Sequence, residues 1–562
     1  MAIRLVQKTV RHHQYWYLVE SRRVNGQPRV VWQRYLGKAE DLAARLSAVR
    51  ETEVYEFGAV AAVLAVATRL DLEGIVNRHA KKRQPGLPVG RAILLAAINR
   101  VVAPKSKAQI GTWYDKTVLR HLWGTPQTAF TSQAFWAAMD HLDATALATI
   151  EEDLARAALA HFGVRVTALA YDGTNFATDL DTDTPSELAQ RGHNKQKRHD
   201  LRQVSLALLT TADGHVPLLH DTYAGNVPDP TEFGHVLGRL QARLQSLAAD
   251  PRITVVFDKG NPSAANFAQL VAPPQGFSFV SALSWHRHPD LAAVDLAQFY
   301  AVDPGRWPGL LAYRTEKVVD GVRRRVVVTY NPQLAAGQLR GIRRQQAKID
   351  HGLQELTTRL AEEAAGTRKR RTTRMAAERY VQRLIAHREA GRLLAWQVQQ
   401  ADGEPVRVTA HWDAEKLADR EAHHLGRTVL FTDQGDWDDA AIIAAYRSQG
   451  TLENAFRQMQ DPRFVTVQPL FHWTDPKIRV HIAICVMALM LASLLYREAR
   501  QAGFPHGFDA LMETLQQMRA VVDLPRAGSR ERLQIRVTRR TADQEALYQR
   551  LGLAPFDPTT AH

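Results

Sequence analysis

Two short stretches rich in aromatic and β-branched residues lie near the amino end, Tyr15 to Ser21 and Pro28 to Gln33, with Asn25-Gly26 between them. Such runs around an Asn-Gly pair predict a β-hairpin, because the tight turn needs positive φ at both central residues. From residue 51 to 162 the period lengthens. Apolar positions recur three and four apart in Val60–Leu70, Ala92–Val102 and Ala134–Phe162, which predicts helices, with Ser132 placed to start the last. From Val164 the pattern shortens again. Val164–Tyr171, Val204–Thr210 and Val216–Tyr223 read as strands, the last two joined at Asp213-Gly214. Thr231–Leu247 reads as a helix, Ile253–Asp258 as a strand, Ser263–Val271 as a helix and Phe277–Leu283 as a strand. That order predicts an α/β fold with a mixed sheet flanked by helices.

The stretch from about 284 to 438 breaks the order. Strand-like pieces at Gly309–Tyr313, Arg323–Tyr330, Leu393–Gln399 and Arg427–Thr432 surround a long basic helical segment, Leu334 to Ala390, and the whole reads as an insertion. Helices return at 438–458 and 478–497. The expected organisation is a hairpin unit at 1–50, a helical region at 51–162, a core in two parts at 163–284 and 438–500 around an insertion at 285–437, and a polar, basic tail at 501–562. No internal repeat or sustained heptad pattern is present.

A chain of 562 residues exceeds one ordinary core and implies two to four domains. Its 45% hydrophobic and 23% charged residues are those of a soluble globular protein. Cys485 is the one cysteine, so no internal disulfide and no cysteine-based zinc site can form, and a reducing cytoplasm fits. The longest apolar run, Ile482–Leu495, is short for a bilayer and reads as a buried core helix; no signal-peptide stretch opens the chain. Lys and Arg number 72 against 58 Asp and Glu, a net +14, which favours a polyanionic partner over a merely basic surface only weakly by itself. No phosphate-cradling GxxxxGK run occurs, so no nucleotide cofactor is expected.

Three acidic residues carry the chemistry. Asp172 ends the apolar run Val164–Tyr171, Asp258 ends Ile253–Phe257, and Glu453 sits in a helical pattern from Ala445 to Arg457. Burying a carboxylate at the end of an apolar strand is costly unless a cation or hydrogen bonds compensate. Carboxylates from neighbouring strand ends and a covering helix can hold two divalent cations roughly 3.5–4 Å apart, one sharpening a water or a 3′-hydroxyl, the other stabilising the leaving oxygen. All-oxygen ligands suit Mg2+, and Mn2+ can substitute. The competing reading makes Asp172-Gly173 and Asp258-Lys259-Gly260 ordinary turn formers.

At these residues the chain resembles the DDE transposases of bacterial insertion sequences, in the insertion-sequence family four branch whose last motif carries Tyr, Arg, Glu and Lys. Tyr171-Asp172-Gly173-Thr174-Asn175 resembles the first-Asp motif, and Val256-Phe257-Asp258-Lys259-Gly260 the second. Gly192 to Leu201 and Tyr223-Ala224-Gly225-Asn226 with Thr231-Glu232-Phe233 resemble the segments between them. Tyr446 and Glu453 take the Tyr and Glu places of the last motif. Gln449 and Gln460 stand where the family has Arg and Lys, with Arg447 and Arg457 close by.

The resemblance implies a ribonuclease-H-like core, with Asp172, Asp258 and Glu453 as catalytic metal ligands for two Mg2+ ions. It implies binding to the inverted-repeat ends of the element, cleavage, and joining of 3′-OH ends to target DNA. It also implies a helical DNA-binding region at 51–162, a homodimer on double-stranded DNA, and a cytoplasmic, nucleoid-associated location with no membrane partner. Tyr446, Arg447, Gln449 and Arg457 become DNA contacts by this reading. Lys195 and Arg198, near the first Asp in sequence, are further candidates, as is the dense run Arg368, Lys369, Arg370 and Arg371, which Arg340, Arg343, Arg344 and Lys348 precede. Trp285, Trp396 and Trp412 could stack on an unpaired base, although core packing is the commoner role. Two rivals stand beside the transposase: a metal-dependent nuclease that cuts without joining, and an inactive DNA-binding descendant, which the two glutamines favour.

Overall fold

The computed structural model describes residues 2–11, 13–24, 27–47, 52–81, 86–192, 200–246, 253–258, 264–271, 276–369, 371–386, 388–401, 404–450, 456, 459, 461, 463–524 and 534–560. The chain divides into two compact units, one of residues 1–65, 108–131 and 498–562, the other of 66–107 and 132–497.

In the first unit, β1 (Ala2–Val10), β2 (His13–Val24) and β3 (Gln27–Gly37) form an antiparallel sheet in the order β1-β2-β3. The two strands of the expected hairpin are present, and the turn residues Asn25-Gly26 lie outside the described residues. β1 was not anticipated; its apolar residues Ile3, Leu5, Val6 and Val10 follow neither a strand nor a helix period. A short strand, β4 (Thr52–Glu56), also interrupts the expected helices. It pairs with Arg519–Asp523, which pairs in turn with Gln534–Val537. The carboxyl-terminal stretch is therefore not a featureless tail. It supplies two strands and the helices Phe508–Gln516 and Ala542–Arg550, the second opened by a Thr541–Gln544 capping box.

The second unit is built on one sheet of nine strands. β5 (Ala168–Thr178), β6 (Arg202–Thr211) and β7 (Pro217–Ala224) run antiparallel to one another. β8 (Thr254–Phe257) and β9 (Ser278–Leu283) continue from β5 as parallel neighbours. The helices Asp229–Ser246 and Ala264–Leu270 make the crossovers that parallel pairing requires. The outcome is a mixed α/β fold with a large mixed sheet flanked by helices, as the pattern predicts. The two faces differ. Tyr171 and Phe257 meet Phe233 at ring-centroid separations of 4.6 and 4.8 Å, and Phe267, Phe279 and Phe431 extend this aromatic layer. The opposite face is aliphatic: Ala168, Val256, Val280, Ala282, Val327 and Leu430 pack under Ile442, Ile443 and Ala445.

Three differences from the expected elements bear on function. β5 begins four residues late and does not stop at Asp172. It runs on to Thr178 because β6 pairs with it over its whole length. The helical stretch 134–162 is two helices, Ser132–Asp140 and Ala144–Phe162, and the Asp143 carboxylate accepts from Ala146 N–H to start the second.

The region 285–437 is not wholly outside the core. β10 (Tyr300–Ala301), β11 (Leu311–Val319), β12 (Val322–Tyr330) and, later, β15 extend the same sheet in the order β10-β11-β12-β15-β9. Only the part between β12 and β15 leaves it. That part holds the helices Pro332–Ala364 and Arg374–Ile385, then the hairpin of β13 (Leu394–Gln399) and β14 (Arg407–Trp412), before β15 (Arg427–Thr432). Ile342, Ile349, Leu356 and Leu360 line its own core. Gly352 lets the two helices close, since a Cβ there would stand 2.6 Å from Leu384. The excursion ends where it began: Asn331 N–H donates to Gly426 O at 2.9 Å, and Tyr330 sits opposite Arg427 in the ladder.

The helix Asp475–Gln501 is long and apolar enough to cross a membrane, but 89% of its apolar window is buried inside the protein. Cys485 is buried within it, consistent with a core helix.

Candidate functional site

Tyr171 and Phe257 are the last partners in the parallel ladder of β5 and β8. Asp172 and Asp258 are the next residue on each chain. Neighbouring strands lie about 4.8 Å apart, and in-register parallel residues project to the same face. The two aspartates therefore stand side by side, on the face that carries Ala168 and Val256 rather than the aromatic layer. They differ in support. Asp172 is half-buried within a continuing strand, opposite Leu208, and its Oδ1 accepts the Gly173 N–H at 2.8 Å. Asp258 is exposed, one residue beyond the end of β8. The expectation that both close their strands holds for Asp258 and not for Asp172.

The helix Asp439–Arg447 covers this face. Asp438 caps it by accepting from Ala441 N–H at 2.7 Å, and Ile442, Ile443 and Ala445 anchor it to the sheet. Its outer end is tied by Asp439, which is buried and takes Arg314 at 2.8 Å and the Tyr300 hydroxyl. Burial and that carboxylate push the Tyr300 phenol up to about 12.

At the other end the Tyr446 hydroxyl donates to Asp258 Oδ1 at 3.1 Å. One turn on, the Gln449 side-chain oxygen, in the amide orientation that satisfies its neighbours, accepts from Phe257 N–H at 2.9 Å and Asp258 N–H at 2.8 Å. Two residues of the candidate motif thus hold the second aspartate, one by its side chain and one by its backbone. Arg447 points elsewhere: it is exposed, and its guanidinium lies 5.2 Å from the Trp307 ring. Partial loss of solvent around its guanidinium, with the nearby Arg306 charge, lowers its pKa.

Glu453, Arg457 and Gln460 fall outside the described residues, as do Lys195, Arg198 and Arg370. Among the described residues no group of three or more His, Cys, Asp or Glu is placed to hold a metal ion. Arg368, Lys369 and Arg371 are exposed in the turn between the helices 332–364 and 374–385, where a continuous helix was expected. Arg368 lies 3.5 Å from Glu362. Arg340, Arg343, Arg344 and Lys348 are exposed on the first of these helices. Trp396 and Trp412 are packed into the small core of the excursion, and Trp412 donates to Asp350 at 2.9 Å. The Trp285 side chain lies outside the described residues.

Sequence reasoning missed two buried polar clusters. Lys107 Nζ lies 2.9 Å from His472 Nε2 and 3.2 Å from His481 Nδ1, and His481 Nε2 donates to Val467 O at 2.8 Å. Burial, with Arg100 nearby, brings Lys107 down to about 7. The second cluster lies beside a cleft of about 430 Å³ lined by Glu151, His220, Asp221, Arg239 and Arg479. Here Glu232, buried next to Asp221, is raised to about 7. Neither cluster has a local signature; Lys107 and His472 are paired across most of the chain.

The segments expected to lie between the aspartates do meet. A Cβ on Gly225 would stand 2.1 Å from Gln203 O, and one on Gly192 would stand 2.2 Å from Gly225 O.

No protein-family model matches this chain. No curated protein matches it either. Among solved structures it is similar to piggyBac transposase in a synaptic complex with hairpin DNA, with a TM-score of 0.36 and 7% identity over 81% of this chain and 79% of that one.

Proposed function

We propose that this chain is a DNA transposase of the DDE kind, with Asp172, Asp258 and Glu453 as the catalytic carboxylates. One observation carries the reading: two aspartates far apart in sequence stand side by side on adjacent parallel strands, under a helix whose Tyr446 contacts one of them. A turn-forming role does not account for Asp172, which lies inside a strand. The order β7-β6-β5-β8-β9, antiparallel on one side and parallel on the other, supports a ribonuclease-H-like reading of the core.

The donor set fits divalent magnesium. Both aspartates offer carboxylate oxygen, and Asp258 has no cationic partner among the described residues. Asp172, Asp258 and Glu453 would hold the ions, which when bound activate the attacking oxygen and stabilise the leaving one. The chain's own part is to fix Asp258 through Tyr446 and Gln449, and to hold Asp172 in the β5 ladder. The exposed cations Arg368, Lys369 and Arg371 and those on the preceding helix would neutralise DNA phosphates. The partner is then double-stranded DNA, the element ends and a target, bound by a homodimer.

Gln449 has a structural task at Asp258, so its place in the motif is not by itself a mark of lost function. Purified protein, Mg2+ or Mn2+, and a duplex carrying the inverted repeats beside the gene provide the test. Nicking at the repeat end followed by joining of its 3′-OH to a second duplex is expected. Nicking without joined products would leave the nuclease reading, and neither product would remove both.

A further inference from the structure

The first fifty residues hold ten Lys and Arg against three Asp and Glu, so they carry +7 of the chain's net +14. They fold mostly into the β1–β2–β3 sheet, and both of its faces expose large side chains around the buried Val19. One face exposes Tyr35 at 55% and Val30 at 52%; the other exposes Ile3 at 59% and Trp32 at 44%. Three-stranded sheets normally bury at least one face. The cations divide between the faces by register. Arg4 and Lys8 lie with Tyr15, Tyr17 and Tyr35, while Arg29 and Arg34 lie with Trp32. On the first face Lys8 packs over the Tyr17 ring at 4.9 Å and donates to Gln33 at 2.6 Å, and the tilted rings of Tyr17 and Tyr35 lie 5.3 Å apart. Among the described residues Arg4, Lys8, Arg29 and Arg34 have no carboxylate partner; Arg22 has Glu20.

We propose that this sheet is a docking element for duplex DNA, seated in the major groove. The groove, about 12 Å wide, admits a two-stranded β-ribbon, and two neighbouring strands of this sheet make one. An element between two phosphate walls meets anions on both sides, and the cations here are placed on both sides. The aromatic and aliphatic side chains beside them supply the apolar contact that sugars and thymine methyl groups accept. The proposal needs no cleavage activity and stands apart from the carboxylate site.

The test uses the full chain carrying Asp172→Asn, without metal, and a labelled duplex of arbitrary sequence titrated across a salt series. Replacing Arg4, Lys8, Arg29 and Arg34 by Gln should lower the slope of log affinity against log salt by about 0.9 per lost contact, roughly 3–4 in all. Arg4→Lys, Arg29→Lys and Arg34→Lys together should keep the slope. Should the four-fold variant melt early, Arg29→Gln and Arg34→Gln are read singly, each for its own decrement. An unchanged slope in folded protein overturns the proposal. So does a loss of dimer in sedimentation with DNA binding intact, which would give the sheet to a second copy of the chain.

Discussion

The side-chain oxygen of Gln449 accepts the backbone N–H of Asp258 at 2.8 Å and that of Phe257 at 2.9 Å. The residue that departs most plainly from a cationic motif position thus fastens the end of β8, where the second aspartate leaves the sheet. Gln449→Ala leaves two N–H groups without this acceptor, at a cost of about 1–3 kcal/mol. A lower melting temperature is expected, with cleavage reduced but measurable. Unchanged melting and cleavage would remove this role.

Tyr446→Phe deletes one hydroxyl and keeps the ring. A hydrogen bond to a charged group contributes about 1.5–3 kcal/mol, so cleavage should fall roughly ten- to a hundredfold if the bond positions Asp258 for the reaction. Duplex affinity should stay near wild type. A large loss of affinity with normal turnover would instead make Tyr446 a DNA contact.

Asp172→Asn, Asp258→Asn and Glu453→Gln are each expected to abolish cleavage while leaving duplex binding largely intact. Gel assays of nicking and of binding on the same preparations decide it. Full cleavage by any one removes that residue from the catalytic set.

Lys107 ties its own segment to His472 and His481, and its folded value of about 7 lies below the 10.5 of a free lysine. Between those pH values the unfolded chain binds more protons than the folded one, so this group's contribution raises stability as pH rises from about 7 towards 10. Below about 7 both states are protonated and the dependence ends. Lys107→Met should flatten that rise in the urea midpoint between pH 7 and 9.5. An identical pH profile in the two proteins would show that Lys107 is not held neutral.

Gly225→Ala places a Cβ 2.1 Å from the Gln203 carbonyl oxygen, backbone that cannot move without disturbing β6. Overpacking of this kind costs about 1–3 kcal/mol. A melting temperature equal to wild type would show that the loop relaxes freely.

Much of the sheet was legible because its strands are buried on both faces. β6 is buried along all ten residues, and Val204–Leu209 within it is apolar but for Ser205. β5 was harder. Past Asp172 it continues through Gly173 and Asn175, which have low strand propensity and are held by pairing with β6. The strands β11, β12 and β15 were visible singly, but nothing local says that they join the main sheet. Pairing partners are a tertiary fact. Asp258 and Tyr446 were each singled out, yet their contact was not foreseeable, since it depends on how the helix Asp439–Arg447 lies over Val256 and Val280. The carboxyl-terminal strand Arg519–Asp523 was missed because its partner, β4, is supplied from the opposite end of the chain.

Tyr330 and Arg427 sit opposite each other, and Asn331 and Gly426 close the gap with a single hydrogen bond. The helical arm between them is thus grafted on by a narrow stalk. Evolution could lengthen, trim or exchange it without re-registering β12 against β15, and an engineer could splice a tight turn across the same point. The sheet that presents Asp172 and Asp258 would then persist as a minimal chassis, and what the arm contributes could be measured by subtraction.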